Sequence, residues 1–278
     1  MVSMEIIQAV IHLLVTSIGL PMYLRIIYIL LKKSYRSNEC YRIMIHIGIA
    51  QCLYSPGTVF YSLSNLLGYD LWNLSYITIK LCSSVVRMEA VMSLVLAMNR
   101  LKVMCDLRYP SVIHRVIVVF AWIVGILNFA FLFSPWYDYF IAQGHFLAQY
   151  DRSKSLTPLF TTLGVILIIG SSVLTLIVYA AIVIYMIKAQ SGFRRQAQSG
   201  KEKKILIYAF VKFLFDALLT TGMYLPLPKA QVVDAVVGEG YVMNNLLIPP
   251  ILYLLFNRDV RNDFMRSTAS SVAPISYT

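Results

Sequence analysis

The chain has 278 residues, 59% of them hydrophobic and 13% charged, and carries a net charge of +11. Soluble domains carry roughly 25% charged residues, so this composition, with a mean hydropathy of +0.70, excludes an ordinary soluble domain and fits a polytopic membrane protein. The four cysteines, Cys40, Cys52, Cys82 and Cys105, cannot build a disulfide scaffold, and no disulfide within the chain can form beyond Cys105.

Seven apolar stretches, each near or above the roughly 20 residues a spanning helix needs, are predicted at about 6–31, 43–67, 77–104, 113–134, 158–187, 205–225 and 237–256. The first is too long for the apolar core of a secretory signal and is read as a span. It holds Pro21, a predicted kink, and Arg25, predicted to snorkel to the nearer headgroups. The second contains His46, read as a hydrogen-bonded packing residue, and Gln51. A glycosylation sequon, Asn73-Leu74-Ser75, separates it from the third. The third contains Ser83, Ser84, Arg87 and Glu89 and ends Ala97-Met98-Asn99-Arg100-Leu101, with Tyr109-Pro110 shortly after. Trp122 lies in the fourth span and is read as packing. The connection 136–157 is aromatic and reads as a mobile loop.

The connection 189–204 is polar and basic, and holds Lys201, Lys203 and Lys204. In the sixth span Lys212 and Asp216 stand four residues apart and can pair along the helix. The seventh holds Asn245 and ends Pro249-Pro250-Ile251-Leu252-Tyr253. Beyond it, Phe256, Val260 and Phe264 repeat every four residues against Arg258, Asp259, Arg261, Asp263 and Arg266. That pattern predicts an amphipathic helix lying in the membrane interface. The chain thus divides into a spanning domain, 1–256, and a surface helix with a short tail, 257–278.

Charge sets the orientation. The connections after spans one, three, five and seven hold 17 lysines and arginines, whereas the opposite side holds Arg152, Lys154 and Lys229. By the positive-inside rule the N-terminus is outside and the C-terminus inside. The inner charge faces anionic lipid headgroups. Nucleic acid is excluded as a partner, since no motif or aromatic interleaving accompanies the charge. The scattered His12, His46, His114 and His145 have no metal-ligand spacing, and no nucleophile elbow or phosphate loop occurs. An enzyme is therefore not expected, nor a cofactor.

Asn99-Arg100-Leu101 at the end of the third span and Pro250-x-x-Tyr253 at the end of the seventh resemble rhodopsin-like G-protein-coupled receptors. There Asp-Arg-Tyr and Asn-Pro-x-x-Tyr occupy these places. The opening of the second span, Cys40-Tyr41-Arg42-Ile43-Met44-Ile45-His46, is similar to the nematode serpentine chemoreceptors, most of all class T. The resemblance implies an all-α bundle of seven transmembrane helices that passes binding of a small-molecule or peptide ligand to a heterotrimeric G protein. It also implies a multi-pass place in the plasma membrane of a sensory cell. Whether the receptor acts alone or as a dimer stays open.

The resemblance gives Asn99, Arg100, Pro250 and Tyr253 the activation switch, and the basic connection with Lys201, Lys203 and Lys204 the G-protein contact. Several departures accompany it. Gln51 stands where the wider family has an aspartate, Pro249 where it has asparagine, no Cys-Trp-x-Pro element is present, and the connection 136–157 lacks the cysteine of the usual disulfide. The seventh span has no lysine for a retinal Schiff base. Ser83, Ser84, Arg87 and Asp216 are candidate ligand-pocket residues. Arg87 pairs either with Asp216 or with an anionic ligand. Gln51, Glu89 and Asn245 form a candidate mid-membrane cluster. With no basic residue clearly facing Glu89, a sodium ion or a proton is the expected neutraliser. The rival reading is a seven-helix ligand-gated channel or small-solute transporter. The absence of an internal repeat and the N-out charge bias count against it.

Overall fold

The structure is a computed structural model describing residues 2–141, 147–189, 199–224 and 231–270. Its helices are α1 (Val2–Leu30), α2 (Lys33–Arg36), α3 (Glu39–Cys52), α4 (Ser55–Leu67), α5 (Leu74–Met104), α6 (Val112–Phe131), α7 (Thr157–Ala189), α8 (Ser199–Tyr224), α9 (Gln231–Val242), α10 (Ile248–Phe256) and α11 (Arg258–Ser270). Among the described residues, α1, α3 with α4, α5, α6 and α7 are long and apolar enough to cross a membrane. α8 and the column α9–α10 complete seven helical segments. α5 is the axis, packed on α3, α4, α6, α7 and α8.

α1 runs on through Pro21 without interruption. The second segment, expected as one helix, is broken at Leu53–Tyr54. Pro56 explains the break: it has no N–H, and its ring would clash with the carbonyl four residues back, that of Cys52. The Ser55 hydroxyl donates to this carbonyl at 2.8 Å and satisfies it. α4 stops at Gly68, which takes the left-handed conformation at φ 77° and caps Ser64 O.

The seventh segment is interrupted as well. Between α9 and α10 one wide turn of π-helix, Met243–Leu247, precedes the proline pair at the start of α10. Two missing N–H groups and two bulky rings disturb the α ladder there, and the wider turn absorbs them. α1 passes so close to this turn that a Cβ on Gly19 would stand 2.4 Å from the Leu246 carbonyl oxygen. Glycine is required there by backbone approach.

The connection 136–157 is described over residues 136–141 and 147–157. It folds as an antiparallel hairpin of β1 (Tyr139–Phe140) and β2 (Gln149–Tyr150), with Tyr139 opposite Tyr150. Its aromatic residues explain why: Tyr137 and Tyr139 are buried against α5, and Tyr137 stacks on Tyr150 and Phe160 at 5.7 and 5.1 Å.

α11 spans Arg258–Ser270, and its Val260 is fully buried. Arg25 meets α11. Its guanidinium donates to Phe264 O at 2.6 Å and lies over the Phe264 ring at 4.4 Å, because α11 folds back against α1. Lys32 and Tyr35 reach Asp263 at 3.3 and 3.4 Å, and Asn257 donates to Tyr41 at 3.1 Å. Burial, and then the nearby carboxylates of Asp263 and Asp259, push the Tyr35 phenol up to about 12, so it donates as a neutral hydroxyl.

Candidate functional site

Glu89, midway along α5, stands at the centre of a buried polar chain. Tyr23 of α1 donates to the Gln51 carbonyl oxygen, and the Gln51 amide of α3 donates to Glu89. On the other side the Lys212 ammonium of α8 lies 2.6 Å from Glu89 Oε1 and 2.6 Å from Asp216 Oδ1. Asn244, on the π turn, donates to the same Asp216 oxygen at 2.5 Å. The chain ties five of the seven segments. It holds two carboxylates against one ammonium, so charge balance leaves one negative charge for a proton or another donor. Tyr253 joins by packing, its ring 6.1 Å from that of Tyr23. A cavity of about 30 Å³ lies against the chain, walled by Val86, Glu89, Ile168, Asp216 and Tyr241 among others. That is room for a water or two.

Towards the hairpin, a second cavity of about 40 Å³ shares Val86, Ile168 and Tyr241 with the first and adds Ser83, Tyr139 and Tyr150. The Tyr150 hydroxyl sits 2.7 Å from Ser83 Oγ and accepts from Arg87 at 3.3 Å. Arg87 is buried. It also donates to the Tyr137 hydroxyl at 2.8 Å and to Phe160 O at 3.3 Å. Space for its guanidinium exists because residue 164 of α7 is glycine: a Cβ there would lie 2.5 Å from Arg87 Nη2. Burial, with Tyr150 beside it, raises the Tyr137 phenol above its ordinary range despite Arg87, so Arg87 faces neutral hydroxyls and a carbonyl. Nearer the bundle end, Lys80 pairs with Asp138 at 2.7 Å and donates to Leu132 O at 2.6 Å, over the rings of Tyr76 and Phe133. This ion pair clamps the hairpin to α5, where no disulfide is available.

At the opposite end, Arg100 is buried and donates to Cys40 Sγ of α3, with its Nε unpartnered. Beside it Glu39 gathers four partners: Asn99 at 3.2 Å, Ser111 at 3.1 Å, Lys102 at 3.7 Å and His114 at 3.2 Å. Tyr109 completes the junction, bonding His114 Nε2 at 2.8 Å and Met98 O at 3.0 Å. Among the described residues no group of three or more His, Cys, Asp or Glu is arranged to hold a metal.

Residues 12–269 match the family described as serpentine type 7TM GPCR chemoreceptor Srv. The chain belongs to this receptor family. Its class is therefore Srv and not class T, whose likeness rested on a short stretch at the second span. No curated protein matches the sequence. Among solved structures, squid rhodopsin superposes with a TM-score of 0.73 at 11% identity, covering 100% of this chain and 89% of that one. At that identity the likeness speaks for the fold alone. The chain is thus a seven-transmembrane, multi-pass chemoreceptor of a nematode family, with no enzymatic role.

The receptor brings some of the expected residues together and separates others. Gln51 meets Glu89, but Asn245 turns to Tyr241 O at 2.9 Å and only shares the cavity wall, while Asn244 joins the chain. Glu89 has a basic partner, Lys212, where the sequence led to the expectation of a sodium ion or a proton. Arg87 does not pair with Asp216. The hairpin tyrosines hold it, and Asp216 faces Lys212 and Asn244. Ser84 bonds Asn128 of α6 at 2.9 Å and lies off the cavity. Pro250 is buried in α10, and Asn73 is exposed.

Residues 190–198 of the basic connection lie outside the described residues. Lys201, Lys203 and Lys204 fall on the opening turns of α8, and their side chains lie outside the description. Lys80 and Glu39 escaped the sequence reading. Glu39 left a trace, as the one acid between the first two spans.

Proposed function

We propose that the receptor detects a small anionic ligand at the hairpin end of the bundle and couples it to a heterotrimeric G protein at the α11 end. The carrying observation is Arg87, a buried guanidinium whose described partners are all neutral. Burying an ion costs several kcal/mol unless it is paired. A ligand carboxylate, sulfonate or phosphate entering past Ser83 and displacing the Tyr150 hydroxyl would complete the pair. The column of small cavities from Tyr150 to Glu89 offers a route by which that exchange reaches the ion chain.

The charge bias of the connections supports an N-terminus outside, a C-terminus inside and α11 on the inner membrane surface. The glycosylation reading of exposed Asn73 fits the same orientation. The plasma membrane of a sensory cell is the corresponding location, and the basic stretch leading into Lys201, Lys203 and Lys204 the contact for the G protein. A screen of small organic acids, each beside its neutral amide, in cells carrying the receptor and a promiscuous G protein tests the reading. At least one acid should elicit a response that its amide does not. Equal responses to acid and amide would remove the anion from the mechanism.

Arg100 is the proposed switch. It joins α5 to α3 through a thiol, a weak acceptor, so folding draws little from it. Arg100→Ala is expected at the cell surface at a normal level, with the ratio of stimulated to basal signalling changed about tenfold, as a shift of ~1.4 kcal/mol between two states would give. Dose–response curves at matched surface level check this; an unchanged curve refutes it.

A further inference from the structure

The roomiest of the cavities described is outside the ligand path. It is a groove of about 170 Å³ between α3 and α6, walled by Glu39, Arg42, Ile43, His46, His114, Arg115 and Val118. Arg42 on one wall is half-buried and Arg115 on the other is exposed. Among the described residues, neither guanidinium has a hydrogen bond or ion pair. The acid in the groove, Glu39, is already occupied by Lys102, His114, Ser111 and Asn99.

Beyond the arginines the walls turn apolar at Ile43 and Val118. The groove then passes His46, which accepts from Trp122 Nε1 at 3.3 Å. The outer face of the same two helices continues as exposed Ile49, Val116, Val119 and Ile123. The arrangement is a pair of unpartnered cations at the end of the bundle with an apolar bed along the helices. It matches an amphiphile with an anionic head and an acyl tail.

We infer that this groove binds the phosphate headgroup of an anionic phospholipid, with Arg42 and Arg115 on the phosphate and a chain along Val119 and Ile123. The inference rests on the membrane placement proposed above, which puts this end at the inner leaflet, where anionic lipid is found. Such a lipid would bridge α3 and α6 beside the Glu39 junction.

Trp122 is a built-in reporter, since the other tryptophans, Trp72 and Trp136, lie at the far end and are exposed. The full-length receptor carrying Trp72→Phe and Trp136→Phe is placed in phosphatidylcholine nanodiscs. It is titrated with phosphatidylinositol bisphosphate brominated on its acyl chains, and separately with brominated phosphatidylcholine. Saturable quenching of Trp122 by the anionic lipid at fractions where the neutral lipid quenches weakly is the expected result. Arg42→Gln with Arg115→Gln should raise the half-saturating fraction roughly tenfold or more. Arg36→Gln with Arg108→Gln, which removes two exposed charges at the same end but off the groove, should leave it within about twofold.

Equal quenching by both lipids overturns the site while keeping the membrane placement. Quenching by neither overturns the placement as well. Equal loss in the control pair means diffuse surface charge, and complete displacement by soluble inositol trisphosphate means a free phosphate ligand; either overturns the proposal. If the double variant does not fold, the two-lipid comparison on the unsubstituted groove still decides.

Discussion

Replacing Lys212 with methionine should leave almost no folded receptor at the cell surface. Lys212 is the ammonium between Glu89 and Asp216, and removing it leaves the buried Glu89 carboxylate facing that of half-buried Asp216. Breaking a buried pair by deleting one partner costs roughly 3–5 kcal/mol, a large share of the 5–15 kcal/mol that typically holds a domain together. The reverse deletions should be mild. Glu89→Gln keeps the Lys212–Asp216 pair within α8, and Asp216→Asn keeps the pair between α5 and α8. Each also brings the chain to charge balance.

The two mild variants should differ in signalling. Glu89→Gln removes the ion pair between α5 and α8 and should raise basal activity, whereas Asp216→Asn should not. Adding Glu89→Gln and Asp216→Asn to Lys212→Met should restore surface level, because no charge is left buried. Surface labelling and basal signalling of the four variants check this. A well-expressed Lys212→Met single variant would show that the ion chain does not hold the fold. A basal level in Glu89→Gln equal to that of Asp216→Asn would show that it does not hold the resting state.

The Lys212–Asp216 pair was legible in the sequence because four residues on a helix fix its geometry. That Glu89 completes it was not, since it depends on how α5 and α8 are rotated against each other. The choice of Asn244 over Asn245 turned on one residue. Counting 3.6 residues per turn back from Pro250 fails across a π turn, which holds an extra residue.

The break in the second span was missed, although Pro56 marks it by its missing N–H. The hairpin was hidden for a different reason. Its strands are two residues each, too short for alternation to show, and what orders them is burial of Tyr137, Tyr139 and Tyr150 against α5. The first five predicted stretches match α1 to α7 to within about four residues at each end, because helices that long and apolar announce themselves by composition, whereas α8 and α9 each start six residues before the stretch predicted for them.

Arg87→Gln should abolish the response to the natural ligand while leaving the receptor on the surface. The surface level is expected to hold because the described partners of Arg87, two hydroxyls and a carbonyl, are neutral and no buried carboxylate is orphaned by losing the cation. Glutamine can still donate to one of them. The ligand, by contrast, loses its charge partner inside a desolvated site. Each hydrogen bond to a charged group contributes about 1.5–3 kcal/mol, and a bidentate contact makes two, so the half-maximal concentration should rise by roughly 100-fold or more.

Arg87→Lys should recover part of this, since it keeps the charge but not the planar fork. Tyr150→Phe should act in the opposite direction: it removes the hydroxyl that occupies both Ser83 and Arg87, so an anion no longer has to displace it, and sensitivity should rise. Dose–response curves for the three variants at matched surface level separate the roles. Lost response with normal expression in Arg87→Gln, and a gain in Tyr150→Phe, support the anion site. Lost expression in Arg87→Gln with an unshifted curve in Tyr150→Phe would make Arg87 a fastener of the hairpin, alongside Lys80, and would move the search for the ligand to the polar wall around Asp216 and Asn244.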